Sequence, residues 1–154
     1  MKKAILVSFV VGIAVMFSSW GIAQALGPPT GLVCSLADTD GDLVNDAVCC
    51  YWDPVEDAEK YSLDIDVAVD TDEDGVADMT VEFSFGTSDR TDGGLMSDPN
   101  LCVPLEEFVY DIDGDGVPDQ LSGEAIAKVK ALDPGHGKGR QNHPFSAPYD
   151  FTLP

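Results

Sequence analysis

The chain has 154 residues, with 28 acidic against eight basic side chains and a formal net charge of −20 at pH 7. So negative a surface repels polyanions, which excludes nucleic acid and anionic membrane as partners. Four cysteines with no C-x-x-C spacing exclude a zinc ribbon and, in an exported chain, imply two disulfides with three possible connectivities.

Met1-Lys2-Lys3 is a short basic start, Ala4 to Phe17 is apolar except for Ser8, and Ala23-Gln24-Ala25 fits a small-x-small cleavage site. This order predicts a secretory signal peptide over residues 1–25, removed after Ala25. The apolar run is too short for a membrane anchor, and no stop-transfer charges follow it. Leu32-Val33 lacks the small residue that a lipoprotein signal places before its cysteine, here Cys34. The expected location is secreted or periplasmic. Residues 26–154 are enough for one domain with one core. They hold six basic against 28 acidic side chains, a net charge near −22.

Pro28-Pro29-Thr30-Gly31 opens this domain stiffly. Leu32, Cys34 and Leu36 then alternate with Val33 and Ser35, the period of a strand. An acidic stretch, Asp38 to Asp46, follows. Ala47 to Trp52 reads as a second strand, ended by Asp53-Pro54. Tyr61, Leu63, Ile65, Val67 and Val69 alternate with polar residues and Ala68, the clearest half-buried strand. A second acidic stretch, Asp70 to Asp78, leads to Met79, Val81, Phe83 and Phe85, again alternating. Residues 86–100 read as an irregular connection. Leu101 to Phe108 reads as a strand that Pro104 places at an edge or bulge. The third acidic stretch is Asp111 to Asp119. Ala125, Ala127, Val129 and Ala131 then alternate with Glu124, Ile126, Lys128 and Lys130. A helix competes here, because Ala, Lys and Glu favour it, but the position between turn signals favours a strand. Residues 134–143 read as a glycine-rich loop and Phe145 to Leu153 as the last strand. Seven short strands between turns predict an all-β sandwich.

The three acidic stretches are versions of one nine-residue pattern, with carboxylates at positions 1, 3, 5 and 9. They supply Asp38, Asp40, Asp42 and Asp46; Asp70, Asp72, Asp74 and Asp78; Asp111, Asp113, Asp115 and Asp119. Together they hold 13 of the 28 acids. Like charges at that density repel unless a cation gathers them, and Ca²⁺ takes roughly six to eight oxygens. Glycine at position 6 allows the sharp turn, and the carbonyl at position 7, from Val76 or Val117, adds a further oxygen. The first stretch has Leu43 where Gly75 and Gly116 stand in the others. These loops resemble the calcium loops of thrombospondin type 3 repeats and dockerins, and the first half of an EF-hand. Position 12, where an EF-hand has its bidentate Glu, is Cys49, Val81 or Ser122. One missing ligand implies weak sites, on the order of 10⁻⁴ to 10⁻³ M.

A second resemblance runs over nearly all of residues 26–154. Pro-Pro-Thr-Gly-Leu at 28–32, Tyr-Trp-Asp-Pro-Val at 51–55, Ala58 and Tyr61-Ser-Leu resemble the A, B and C strands of a fibronectin type III domain. Val-Lys-Ala-Leu-Asp-Pro-Gly at 129–135 is similar to its F strand and FG loop, and Phe-Ser-Ala-Pro-Tyr at 145–149 to its G strand. The resemblance implies a seven-stranded, immunoglobulin-like antiparallel sandwich, with the acidic loops inserted at A–B, C–C′ and E–F. Those connections emerge at one pole, where carboxylates of one loop would reach another. It implies a core role for Trp52 and, by strand parity, the pairings Cys34–Cys50 and Cys49–Cys102. Partner contacts in such domains often fall on the F–G loop, which makes Lys138 and Arg140 the candidate contact residues for a protein or glycan.

No G-x-S-x-G, H-E-x-x-H or glycine-rich phosphate loop occurs, and His136 and His143 share one loop without rigid support. The expectation is a calcium-stabilised binding or adhesion module rather than an enzyme. A purely structural domain and a small secreted hydrolase are the alternatives.

Overall fold

A computed structural model describes residues 26–72, 74–88, 94–133 and 143–154. The expected signal peptide, and Lys138 and Arg140, lie outside the described residues. The described chain is all β, with every strand pairing antiparallel and no α-helix. Among the described residues no helix is long and apolar enough to cross a membrane.

Three sheets form. The first has the order β1 (Val33–Ala37), β2 (Ala47–Tyr51), β5 (Asn100–Pro104). The second has the order β4 (Met79–Gly86), β3 (Lys60–Val69), β8 (Gly123–Leu132), β9 (Tyr149–Leu153). A ribbon of β6 (Val109–Tyr110) and β7 (Asp119–Gln120) is the third. The described residues thus form nine strands where the sequence predicts seven. The two extra ones are short and flank the third acidic stretch.

The two larger sheets share one core, as in a β-sandwich. Leu63, Ile65 and Val67 of β3 face Cys50, Val48, Leu101 and Val103 of the other sheet in one buried cluster. Strand β3 alternates buried and half-buried along all ten residues, as its period of two requires. The competition between helix and strand at Glu124–Ala131 is settled by the same period. Ala125, Ala127, Val129 and Ala131 are all buried, and β8 lies between β3 and β9. In register, Val129, Ala127 and Ala125 stand beside Leu63, Ile65 and Val67 of β3, so small side chains on β8 alternate with larger ones on its neighbour.

Two sequence boundaries shift. The strand expected over Leu101–Phe108 ends at Pro104, and Leu105–Glu107 forms a 3-10 turn. Proline has no N–H with which to continue the ladder. The turn delivers Phe108 into the core, fully buried and edge-on to Phe83 and Phe85 at 5.2 and 5.5 Å. The strand expected from Phe145 begins at Tyr149, with Phe145 making only an isolated bridge to Lys130. The residue before Tyr149 is Pro148, which has no N–H to donate to a ladder.

Disulfides join Cys34 to Cys50 and Cys49 to Cys102, the pairing that the strand assignment implies. Each joins residues directly opposite in register. Cys49 and Cys50 are consecutive, so they point to opposite faces, and β2 is tied to β1 on the core side and to β5 on the other. Loops of 16 and 53 residues are closed, which on chain entropy corresponds to about 3 and about 4 kcal/mol. Disulfides persist in oxidising surroundings, so the chain belongs outside the cytoplasm.

Candidate metal centre

Each acidic stretch is the tip of a hairpin. The first joins β1 to β2 and closes with Asp46 N–H donating to Ala37 O at 2.9 Å. The second joins β3 to β4 and closes with Asp78 N–H donating to Val69 O at 2.9 Å. The third joins β6 to β7.

The three loops share one internal hydrogen-bond frame. The position 1 carboxylate accepts the N–H of position 6: Leu43 to Asp38 at 2.8 Å, Gly75 to Asp70 at 2.7 Å, Gly116 to Asp111 at 2.9 Å. In the first and third loops it also accepts the position 4 N–H, Gly41 to Asp38 at 2.6 Å and Gly114 to Asp111 at 2.7 Å. Position 3 accepts from position 5, through Asp40, Asp72 and Asp113. Position 5 accepts from position 7, where Val44, Val76 and Val117 donate to Asp42, Asp74 and Asp115. Position 9 accepts from position 2, where Thr39, Thr71 and Ile112 donate their N–H to Asp46, Asp78 and Asp119.

The first loop, least regular in sequence, keeps this frame in full. Leu43 holds φ 73° where Gly75 has 86° and Gly116 has 87°. A left-handed leucine costs about 1–2 kcal/mol, so the frame outweighs the strain of its one misfit residue. Its side chain is 93% exposed and gains nothing by packing.

These bonds shape the charges. The N–H of Gly41, then that of Leu43, hold the Asp38 carboxyl below the usual carboxylate range. The hydroxyl of Thr71, then its N–H, do the same for Asp78. Position 2 is what the sequence reading misses. The Asp-Thr-Asp triplets at 38–40 and 70–72 carry the signal, a hydroxyl beside a carboxylate seven residues on. In the third loop Ile112 offers only its N–H.

Three groups of carboxylates converge: Asp38, Asp40 and Asp42; Asp70, Asp72 and Asp78; Asp111, Asp113 and Asp115. Within each, one oxygen per residue lies within 4.8 Å of the others. Two oxygens on opposite sides of one Ca²⁺ are separated by roughly twice 2.3–2.6 Å, so the spacing fits one such ion. The donors are all hard oxygens, which suit calcium rather than zinc. Asp46, Asp74 and Asp119 are not in these groups; they stand in the loop frame instead. Among the described residues each group is drawn from a single loop, where carboxylates shared between loops were expected. What the second and third loops share is a wall: Asp70, Gly75 and Ala77 line one cavity of about 430 Å³ with Ile112 and Gln120. No protein-family model matches the chain, and no curated protein matches it.

Proposed function

We propose that the chain is a secreted, calcium-stabilised, fibronectin type III-like module that binds a protein or glycan and carries out no catalysis. The observation that carries this reading is the repeated loop frame. Three separate loops, one with an ill-suited leucine, adopt the same bonds and bring three carboxylate oxygens to the spacing of one Ca²⁺. Each ion would be held by its loop's aspartates, with position 7 carbonyls and water completing the shell.

Sheet order supports the fold part. β1-β2-β5 and β4-β3-β8-β9 correspond to A-B-E and C′-C-F-G of a fibronectin type III sandwich. Under that correspondence β6 and β7 are an elaboration of the E–F connection. Strand direction supports a common pole for the loops. β2 runs from the first loop to Trp52, whose ring meets Tyr61 edge-on at 5.2 Å. Tyr61 is the second residue of β3, which runs back to the second loop. The third loop lies beside the second across their shared cavity.

The binder reading rests on the sequence, in which no G-x-S-x-G, H-E-x-x-H or glycine-rich phosphate loop occurs. Lys138 and Arg140 remain the proposed contacts of the F–G connection. Calcium is tested by thermal unfolding of the full chain with Ca²⁺ and with excess chelator. A higher midpoint with Ca²⁺ supports the reading, and coincident midpoints reject it.

A further inference from the structure

We propose that the outer face of the four-stranded sheet is a docking groove for an extended, lysine- or arginine-bearing segment of a protein partner. Register places Glu82, Asp66, Ile126 and Asp150 in one row across the four strands. Residues two apart on a strand share a face, so Glu124 flanks Ile126 on one side and Lys128 on the other. Ile126 is 39% exposed at the centre of this face, an apolar residue with carboxylates on three sides and Lys128 on the fourth. Around it runs a groove of about 540 Å³ whose walls include Asp66, Ala68, Glu124 and Asp150.

Charge complementarity selects the occupant. Lys128 is already held by Asp66 at 2.8 Å. Among the described residues no cation pairs with Glu124 or Asp150. A lysine or arginine has the matching two-part chemistry. Its aliphatic stem lies on Ile126 and Ala68, and its charged head reaches Glu124 and Asp150. The negative field of the whole chain steers such a partner inward, while the groove supplies the register. None of the loop carboxylates takes part. The groove is a second contact surface, apart from Lys138 and Arg140, for the binding role proposed above; it rests on that role, but not on calcium.

A fluorescently labelled peptide of alternating lysine and serine is the probe. It is titrated into the full chain by anisotropy, at saturating Ca²⁺ and physiological salt, which screens long-range attraction. E124Q/D150N is expected to weaken binding by about tenfold, as loss of two charge-assisted contacts requires. E56Q/E106Q removes two exposed acids elsewhere and is expected to change it by less than about twofold. Ile126→Ser leaves charge unaltered and is expected to weaken it by about threefold to tenfold through lost stem packing. Equal losses in the two double variants, an unaffected Ile126→Ser, or no binding by the unaltered chain would each overturn the groove. The module reading fails separately, by a melting midpoint indifferent to calcium.

Discussion

Leu43 donates its N–H to Asp38 at 2.8 Å from a left-handed backbone, the same bond that Gly75 makes to Asp70. The side chain at that position is a cost without a contact. Leu43→Gly therefore removes about 1–2 kcal/mol of strain and adds about 0.5–1 kcal/mol of unfolded-state entropy. A net gain of about 0.5–1 kcal/mol is expected, a rise of a few degrees in melting temperature. Leu43→Ile, β-branched in the same place, is expected to lower the midpoint. Thermal unfolding of the two variants checks both signs. A glycine variant that melts below the parent would mean that the loop does not hold this backbone.

Calcium removal should be divisible by loop. With free Ca²⁺ at ten times Kd, each proposed site would add about 1.4 kcal/mol, and three such sites would be large against a typical stability of about 5–15 kcal/mol. Asp113→Asn keeps an acceptor for the Asp115 N–H but removes one of the charges proposed to hold the ion. Its calcium-dependent increment is expected to fall by about one third, with the chelated protein little changed. Melting across a calcium titration separates these effects, since a general loss of stability lowers both baselines together.

Much of this was legible because a strand's side-chain period is two. Tyr61 to Val69 announces its buried face residue by residue, and the D-x-D-x-D-G spacing announces its loops. Phe108 was not legible. In sequence it looks like the end of a strand, and only the 3-10 turn after Pro104 aims it at Phe83 and Phe85. The short β6–β7 ribbon was hidden for a similar reason, because two-residue strands carry no period. Thr39 and Thr71 were visible as residues, but their bonds depend on a chain reversal that no local pattern spells out. The acidic row around Ile126 needs three strand registers at once, so it follows from the sheet alone.

The paired cysteines make a prediction that separates the faces of β2. Cys49→Ala/Cys102→Ala opens the longer loop and is expected to cost about 4 kcal/mol on chain entropy. Cys34→Ala/Cys50→Ala opens the shorter one, about 3 kcal/mol, but removes two buried sulfurs where the outer pair removes one, that of Cys49. The inner pair is therefore expected to cost at least as much as the outer one despite its shorter loop. Urea unfolding of both variants gives the order. A clearly milder inner variant would show that packing around Cys34 and Cys50 contributes little.

Acid should loosen the calcium-free loops in a defined window. Asp38 and Asp78 have folded-state carboxyl groups held below their ordinary value of 3.8, by Gly41 and Leu43 in one case and by Thr71 in the other. A depressed folded value means that the unfolded chain takes up the proton first as pH falls. The stabilisation is complete above the unfolded value and drains away as pH drops from there through the folded one. Both groups are open to solvent, so the effect is modest and screened by salt. In excess chelator, the melting midpoint is expected to hold steady from neutral pH and fall below about pH 4. Asp38→Asn keeps an oxygen acceptor for Gly41 and Leu43 but cannot titrate, so its acid slope is expected to be shallower than the parent's. Equal slopes in the two proteins would show that the Asp38 carboxylate gains nothing from its loop.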